Sequence, residues 1–134
     1  MFAPAPYLLK DVSVSQVMIQ VCLALIPGIA AYAWLIGPAI LVQLVIASLA
    51  ALVAESLMLK IRGKPQALFL SDGSAIVTAW LIALTFPPLA PWWLVALGTV
   101  FAIVAAKHLY GGLGQNPFNP AMAAFCMMIV AYPQ

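Results

Sequence analysis

Lys107-His-Leu-Tyr-Gly-Gly-Leu-Gly-Gln-Asn-Pro-Phe-Asn-Pro-Ala121 is the stretch on which the reading of this chain turns. It is the one long polar run in a sequence that is otherwise mostly apolar. Gly111, Gly112 and Gly114 permit positive φ or a close backbone approach. Pro117 and Pro120 withhold backbone donors and fix φ. Asn116 and Asn119 each bring amide donors and a carbonyl acceptor. Apolar segments stand on both sides. Irregular backbone at membrane depth is tolerated only where it is packed in protein or lines a cavity. The loop is therefore a connection buried in a larger assembly, a binding site, or both.

The composition around it sets the fold class. The chain has 134 residues, 66% of them hydrophobic and 6% charged, with a mean hydropathy of +1.15. Soluble domains carry about 25% charged residues, so there is too little polar surface here to cover a water-soluble globule. The expectation is an all-α integral membrane protein in contact with the lipid bilayer. A formal net charge of +2, scattered along the chain, argues against nucleic acid as a partner. Cys22 and Cys126 lie in apolar runs without metal-ligand spacing, so no metal site is expected and both read as buried structural thiols. Ala31-Tyr32-Ala33 faintly resembles a leader-cleavage site, but the apolar run around it is longer than a leader requires, and the first span is read as retained.

Working outward from the loop, the chain divides into four to five transmembrane helices. The expected spans are about residues 17–36, 39–59, 68–86, 92–106 and 120–134, against the roughly 20 residues that a crossing requires. Residues 1–134 form a single, incomplete transmembrane domain, the N-terminal part of a larger helical bundle. Ser13 or Ser15 is placed to cap the first helix. Pro27-Gly28 predicts a kink in it, and Gly37-Pro38 makes the turn into the second. The third span, opening near Asp72 and ending at Pro87-Pro88, is short for a crossing unless residues 67–70 join it. Trp92 and Trp93, with Trp80, suit the aromatic belts of a bilayer. With Lys10, the 60–64 loop and Lys107 on one face, all five Lys and Arg residues share a side, which predicts a cytoplasmic N-terminus.

Few residues can carry chemistry. Glu55 is the one carboxylate well inside an expected span and is a candidate for an ion pathway; the plainer reading pairs it with Lys60 or Arg62. Asp72 either caps the third span, meeting its positive dipole end, or belongs to an ion or flavin site. Asn116 and Asn119 are suited to hydrogen-bond a planar heterocycle packed on Tyr110 or Phe118; equally, Asn119 and Pro120 read as the cap and first residue of the next helix. Gly112 and Gly114 do not form a dinucleotide fingerprint, which needs a third glycine and a preceding strand. His108 reads as an interface residue rather than a metal or proton ligand. No catalytic pair is present, so bond-making chemistry would have to come from a cofactor.

Several motifs carry a family resemblance: Ile26-Pro-Gly-Ile-Ala30, Phe86-Pro-Pro-Leu-Ala-Pro-Trp-Trp93, Leu97-Gly-Thr-Val-Phe-Ala102 and above all Tyr110-Gly-Gly-Leu-Gly-Gln-Asn-Pro-Phe-Asn-Pro-Ala-Met122. The sequence resembles the D subunit of the Rnf electron-transport complex and, more distantly, the B subunit of the sodium-pumping NADH:quinone oxidoreductase. The resemblance implies a multi-pass subunit of the bacterial inner membrane, partnered by further membrane and peripheral subunits. It implies an ion-translocating complex that moves electrons between ferredoxin and NAD, coupled to Na+ or H+. It further implies riboflavin near Asn116 and Asn119, with Gly112 and Gly114 beside them, and an ion-uptake role for Glu55. Family members carry FMN on a threonine of a Ser-Gly-Ala-Thr motif. No such motif occurs in this chain; Ser74-Ala-Ile-Val-Thr78 does not match it, and the expectation is a sequence that stops before that threonine. The alternative reading is a secondary transporter or permease domain with its substrate site at residues 110–121.

Overall fold

The structure, a computed structural model, describes residues 12–133. Lys10, on which the orientation argument partly rests, lies outside the described residues, as does Gln134. The architecture is all-α, as the composition requires. Helix α1 spans Val14–Leu35, α2 Ala39–Ile61, α3 Gln66–Leu70, α4 Ser74–Thr85, α5 Trp92–Phe101 and α6 Pro120–Ala131; α5 continues as a π-helical segment over Ala102–His108.

Two of these helices are long and apolar enough to cross a membrane alone, α1 with 22 residues and α2 with 23. At a rise of about 1.5 Å per residue each covers somewhat more than the ~30 Å hydrocarbon core. Ser13 caps α1 in a capping box, accepting from Gln16 N while Gln16 Oε1 accepts from Ser13 N. The helix runs on through Pro27, where proline removes one backbone donor.

The third apolar run is not one continuous helix. Short α3 ends at Ser71, and the chain restarts at Ser74 after Gly73, whose φ of 77° is left-handed. A residue with a Cβ takes that conformation only with strain. Asp72 Oδ1 accepts from Ser74 N at 2.8 Å, so the acid satisfies the first turn of α4 from one position upstream of the cap.

The core lies among α2, α4, α5 and α6. On α2 the buried positions Ile40, Leu44, Ala47, Ala51, Ala54 and Glu55 form one stripe, facing Ala75, Ala79, Ile82 and Ala83 of α4. Small residues on both sides let helix backbones come close, which is how packing is won where lipid offers no hydrophobic gradient between helices. Helix α1 is peripheral: Ile29 is its one buried residue, and Trp34 is 88% exposed. Both cysteines depart from expectation, Cys22 being half-buried on peripheral α1 and Cys126 exposed on α6.

The two ends of the bundle are fastened differently. At one end Gln43 Nε2 donates to Pro87 O at 2.8 Å and Pro88 O at 3.1 Å. The prolines stop α4 and leave carbonyls without helical donors, and a buried glutamine supplies them. At the other end Arg62 reaches the end of the π-helical segment. The Gly37-Pro38 turn and the turn at residues 87–91 thus share an end opposite Lys60, Arg62, Lys64 and Lys107.

Among the described glycines, Gly98 has the least room for a side chain. A Cβ there would come within 2.6 Å of Phe86 Cζ, and Phe86 is buried with its ring 6.2 Å from that of Phe125. Gly98→Ala should therefore destabilise the bundle by about 1–3 kcal/mol through overpacking, despite the better helix propensity of alanine. Unfolding in graded denaturing detergent measures this; an unchanged midpoint would show that the Phe86 ring is free to move.

Candidate functional site

The buried stripe of α2 carries Glu55 inward. Spaced four and eight residues from Ala51 and Ala47, it lies on the face that packs against α4 and the π-helical segment. Its side chain is 2% exposed. Lys60 is five residues along and exposed, off that face. The expected pairing with Lys60 or Arg62 is therefore replaced by another: Lys107 Nζ lies 2.9 Å from Glu55 Oε1.

Lys107, read from sequence as a loop charge, is 3% exposed and belongs to the bundle interior. Its ammonium also donates to Ser74 Oγ at 2.8 Å. Ser74 N in turn donates to Asp72 Oδ1, so this one serine joins both candidate ion-path acids. His108, expected at an interface, is buried beside them. Its Nε2 lies 3.1 Å from Glu55 Oε2, yet these two atoms are out of line for a hydrogen bond and have no other partner. Arg62 Nη1 lies 3.3 Å from His108 Nδ1 and donates to His108 O at 3.2 Å. An arginine can only donate, so Nδ1 presents its lone pair and the ring proton is assigned to Nε2, facing the carboxylate.

Consecutive residues do not share one face of a regular α-helix. The π-helical segment, with Leu109 N bonded to Val104 O five residues back, widens the turn so that Ala106, Lys107 and His108 are all buried. Such π segments have no plain sequence signature, which is why sequence reasoning missed both Lys107 and His108. The available signal was the alanine stripe of α2, which placed Glu55 inside and thereby called for a buried cation.

Beside this cluster is a pocket of about 340 Å³. Met18 of α1, Ser74 and Thr78 of α4, Lys107, and Asn116 and Asn119 of the loop are in its wall. The structure thus brings both candidate asparagines to one cavity. Asn116 Nδ2 donates to Phe118 O, and Asn119 Oδ1 accepts from Ala121 N as the cap of α6, with Pro120 its first residue. Asn116 Oδ1 and Asn119 Nδ2 have no hydrogen-bond partner among the described residues. Phe118 lines the pocket, whereas Tyr110 does not.

Gly112 and Gly114 are not in that wall. Gly112, with φ 104°, donates its N–H to Lys107 O, and a Cβ there would sit 3.8 Å from Arg62 Nη1. Its place is behind the cluster rather than at the cavity. Gly114, with φ 82°, has open space around it.

Removing one partner of a buried ion pair strands the other in low dielectric, at a cost of about 3–5 kcal/mol, whereas removing both charges is far milder. Lys107→Met should accordingly destabilise the protein by that order, and the double variant Glu55→Gln/Lys107→Met should recover most of it. Thermal unfolding in mild detergent reads the difference; equal stability of the single and double variants would mean that the pair is not isolated from water.

The whole of this chain, residues 1–134, matches the NQR2, RnfD, RnfE family. It is 51% identical over 131 residues to the D subunit of the ion-translocating oxidoreductase complex of Escherichia fergusonii. The protein of the same name from Escherichia coli (strain K12 / DH10B) gives the same identity over the same length. The alignment covers 98% of this chain and 37% of each of these relatives, so the chain spans little more than a third of their length. With a matching family over its full length and half its residues shared with these relatives, the chain belongs to the NQR2, RnfD, RnfE family.

Proposed function

We propose that this chain is a membrane subunit of an ion-translocating, flavin-dependent electron-transport complex, of the kind that couples ferredoxin/NAD electron transfer to Na+ or H+ movement. The observation that carries the reading is a carboxylate held deep in an apolar bundle next to a cavity walled by amide side chains, in a chain of this family. Intramembrane acids are costly and are kept for ion or proton paths. Glu55 takes that role, with Asp72 tied to it through Ser74. The complex sits in a bacterial inner membrane with the N-terminus cytoplasmic, among other membrane and peripheral subunits.

The donor set suits a flavin ring. Asn116 Oδ1 offers an acceptor and Asn119 Nδ2 a donor, matching the N–H and carbonyl edge of an isoalloxazine. A volume near 340 Å³ is at the lower end of the range for small-molecule sites, about 300–1,000 Å³. Asn116 and Asn119 would hold the ring edge, and Phe118 would cover it. The ring would supply one- or two-electron transfer. Riboflavin or the ring of FMN suits this seat; the threonine that carries covalent FMN in the family has no counterpart motif in this sequence. Gly112 and Gly114 stand outside this wall and would serve the seat through the positive-φ loop backbone that presents the asparagines.

The competing reading, a permease with its substrate at residues 110–121, draws on the same broken backbone between α5 and α6. Flavin content separates the two. In the full-length protein within its complex, Asn116→Ala with Asn119→Ala should lower bound non-covalent flavin several-fold; unchanged flavin and electron transfer would remove the asparagines, and a complex with no flavin near this chain would favour the permease.

Glu55→Gln keeps an acceptor for Lys107 but removes the negative charge. Cation movement coupled to electron transfer should slow at least tenfold while the complex still assembles, as followed by ion flux into sealed vesicles. Flux at the wild-type rate would take Glu55 off the path.

A further inference from the structure

Lys107 belongs to two places at once. Its ammonium has three donors; one is on Glu55 Oε1 at 2.9 Å and another on Ser74 Oγ at 2.8 Å. Lys107 and Ser74 both stand in the wall of the pocket that Asn116 and Asn119 line. Among the residues of that wall Lys107 is the one with a charged side chain. On its other side, Glu55 Oε2 lacks a hydrogen bond, with His108 Nε2 3.1 Å away. Coulomb interactions are strong where water is excluded, so a charge arriving in the pocket competes directly with Glu55 for the same cation. A lysine on its four-carbon stem is suited to move between two such partners.

We propose that Lys107 is a counter-ion shared between the pocket and Glu55, and that it couples charge in one to cation uptake at the other. A negative charge added to a ligand bound in the pocket would draw the Lys107 ammonium toward it along Ser74 and away from Glu55. The carboxylate then takes up one monovalent cation, Na+ or H+. The balance is one negative charge gained in the pocket and one positive charge gained at Glu55, with Lys107 keeping its proton throughout. The electron comes from a reduced iron–sulfur protein acting as the donor of the complex, whose cluster is oxidised by one electron. This inference rests on reading the pocket as a flavin site.

The test uses the full-length protein in its assembled complex, reduced with dithionite in sodium-containing buffer. Infrared difference spectra follow carboxylates while flavin absorbance is recorded in parallel. Wild type should give a carboxylate band that changes on reduction and is lost in Glu55→Gln. In Lys107→Met that band should no longer respond to reduction. Where Lys107→Met fails to assemble, Lys107→Arg keeps the charge but grips the carboxylate bidentately, and the response should be strongly diminished. A reducible flavin with a wild-type Glu55 response in either Lys107 variant, or with no Glu55-dependent band in wild type, overturns the coupling and leaves the flavin reading standing. A complex with no reducible flavin at this chain overturns both.

Discussion

The contact between Lys107 and Glu55 is the constraint to which the rest of this bundle answers. Neither charge is tolerable alone in an interior built of alanine, isoleucine and lipid-facing helices. Holding them together requires α2, α4 and the segment after α5 to meet at one level. The alanine stripes on α2 and α4 make that approach possible, and Ser74 at the start of α4 supplies a second acceptor for the ammonium. The left-handed Gly73 sets where α4 begins, and with it where Ser74 stands. A buried pair is weak evidence for stability, since apolar residues would pack as well or better. Its presence is therefore better explained by what the charges do than by what they hold.

Hydrogen-bond accounting explains the ends of the bundle. At one, proline breaks α4 and the amide of a buried glutamine donates to the Pro87 and Pro88 carbonyls. At the other, Arg62 stays exposed to solvent but fixes the histidine ring and its backbone carbonyl. Buried Thr78 and Thr99 bond carbonyls of their own helices, whereas Gln43, Glu55, Lys107 and His108 each contact a different element and tie it to their own. Among the described residues Gln43 Oε1, Glu55 Oε2 and His108 Nε2 have no partner, and two of those three lie in the one cluster.

Much of this was legible in the amino-acid order. The apolar runs, the capping serine, the proline turns and the Asn119-Pro120 helix start are all written in local residue chemistry, and the helices begin and end close to them. The asparagine loop read as a buried connection, a binding site or both, and Asn116 and Asn119 stand in the wall of a pocket. What local chemistry does not encode is the direction a charged residue faces at the end of an apolar helix. Lys107 there reads like any residue that reaches for headgroups; it turns inward because the backbone widens over Ala102–His108 and an acid waits on α2. The start of α4 was legible in part: Asp72 read as a cap of the third span and does satisfy its first turn, whereas the left-handed turn at Gly73 was not legible, because a single glycine is equally at home in a helix and in such a turn. The thiols misled for the opposite reason: apolar neighbours in sequence face lipid as readily as core in a membrane protein.

The widened turn also fixes a register. A π segment holds one more residue in its loop of hydrogen bonds than a regular helix does, typically as a single extra residue. Between Trp92 and the Gly-rich loop, then, chain length is as much a part of the site as side-chain identity. Excising one residue anywhere in that segment, even an alanine touching nothing polar, lets ordinary helical winding resume and carries the ammonium and imidazole around the helix axis together. Every residue that touches the cavity would still be encoded, and the cavity would have lost its charge.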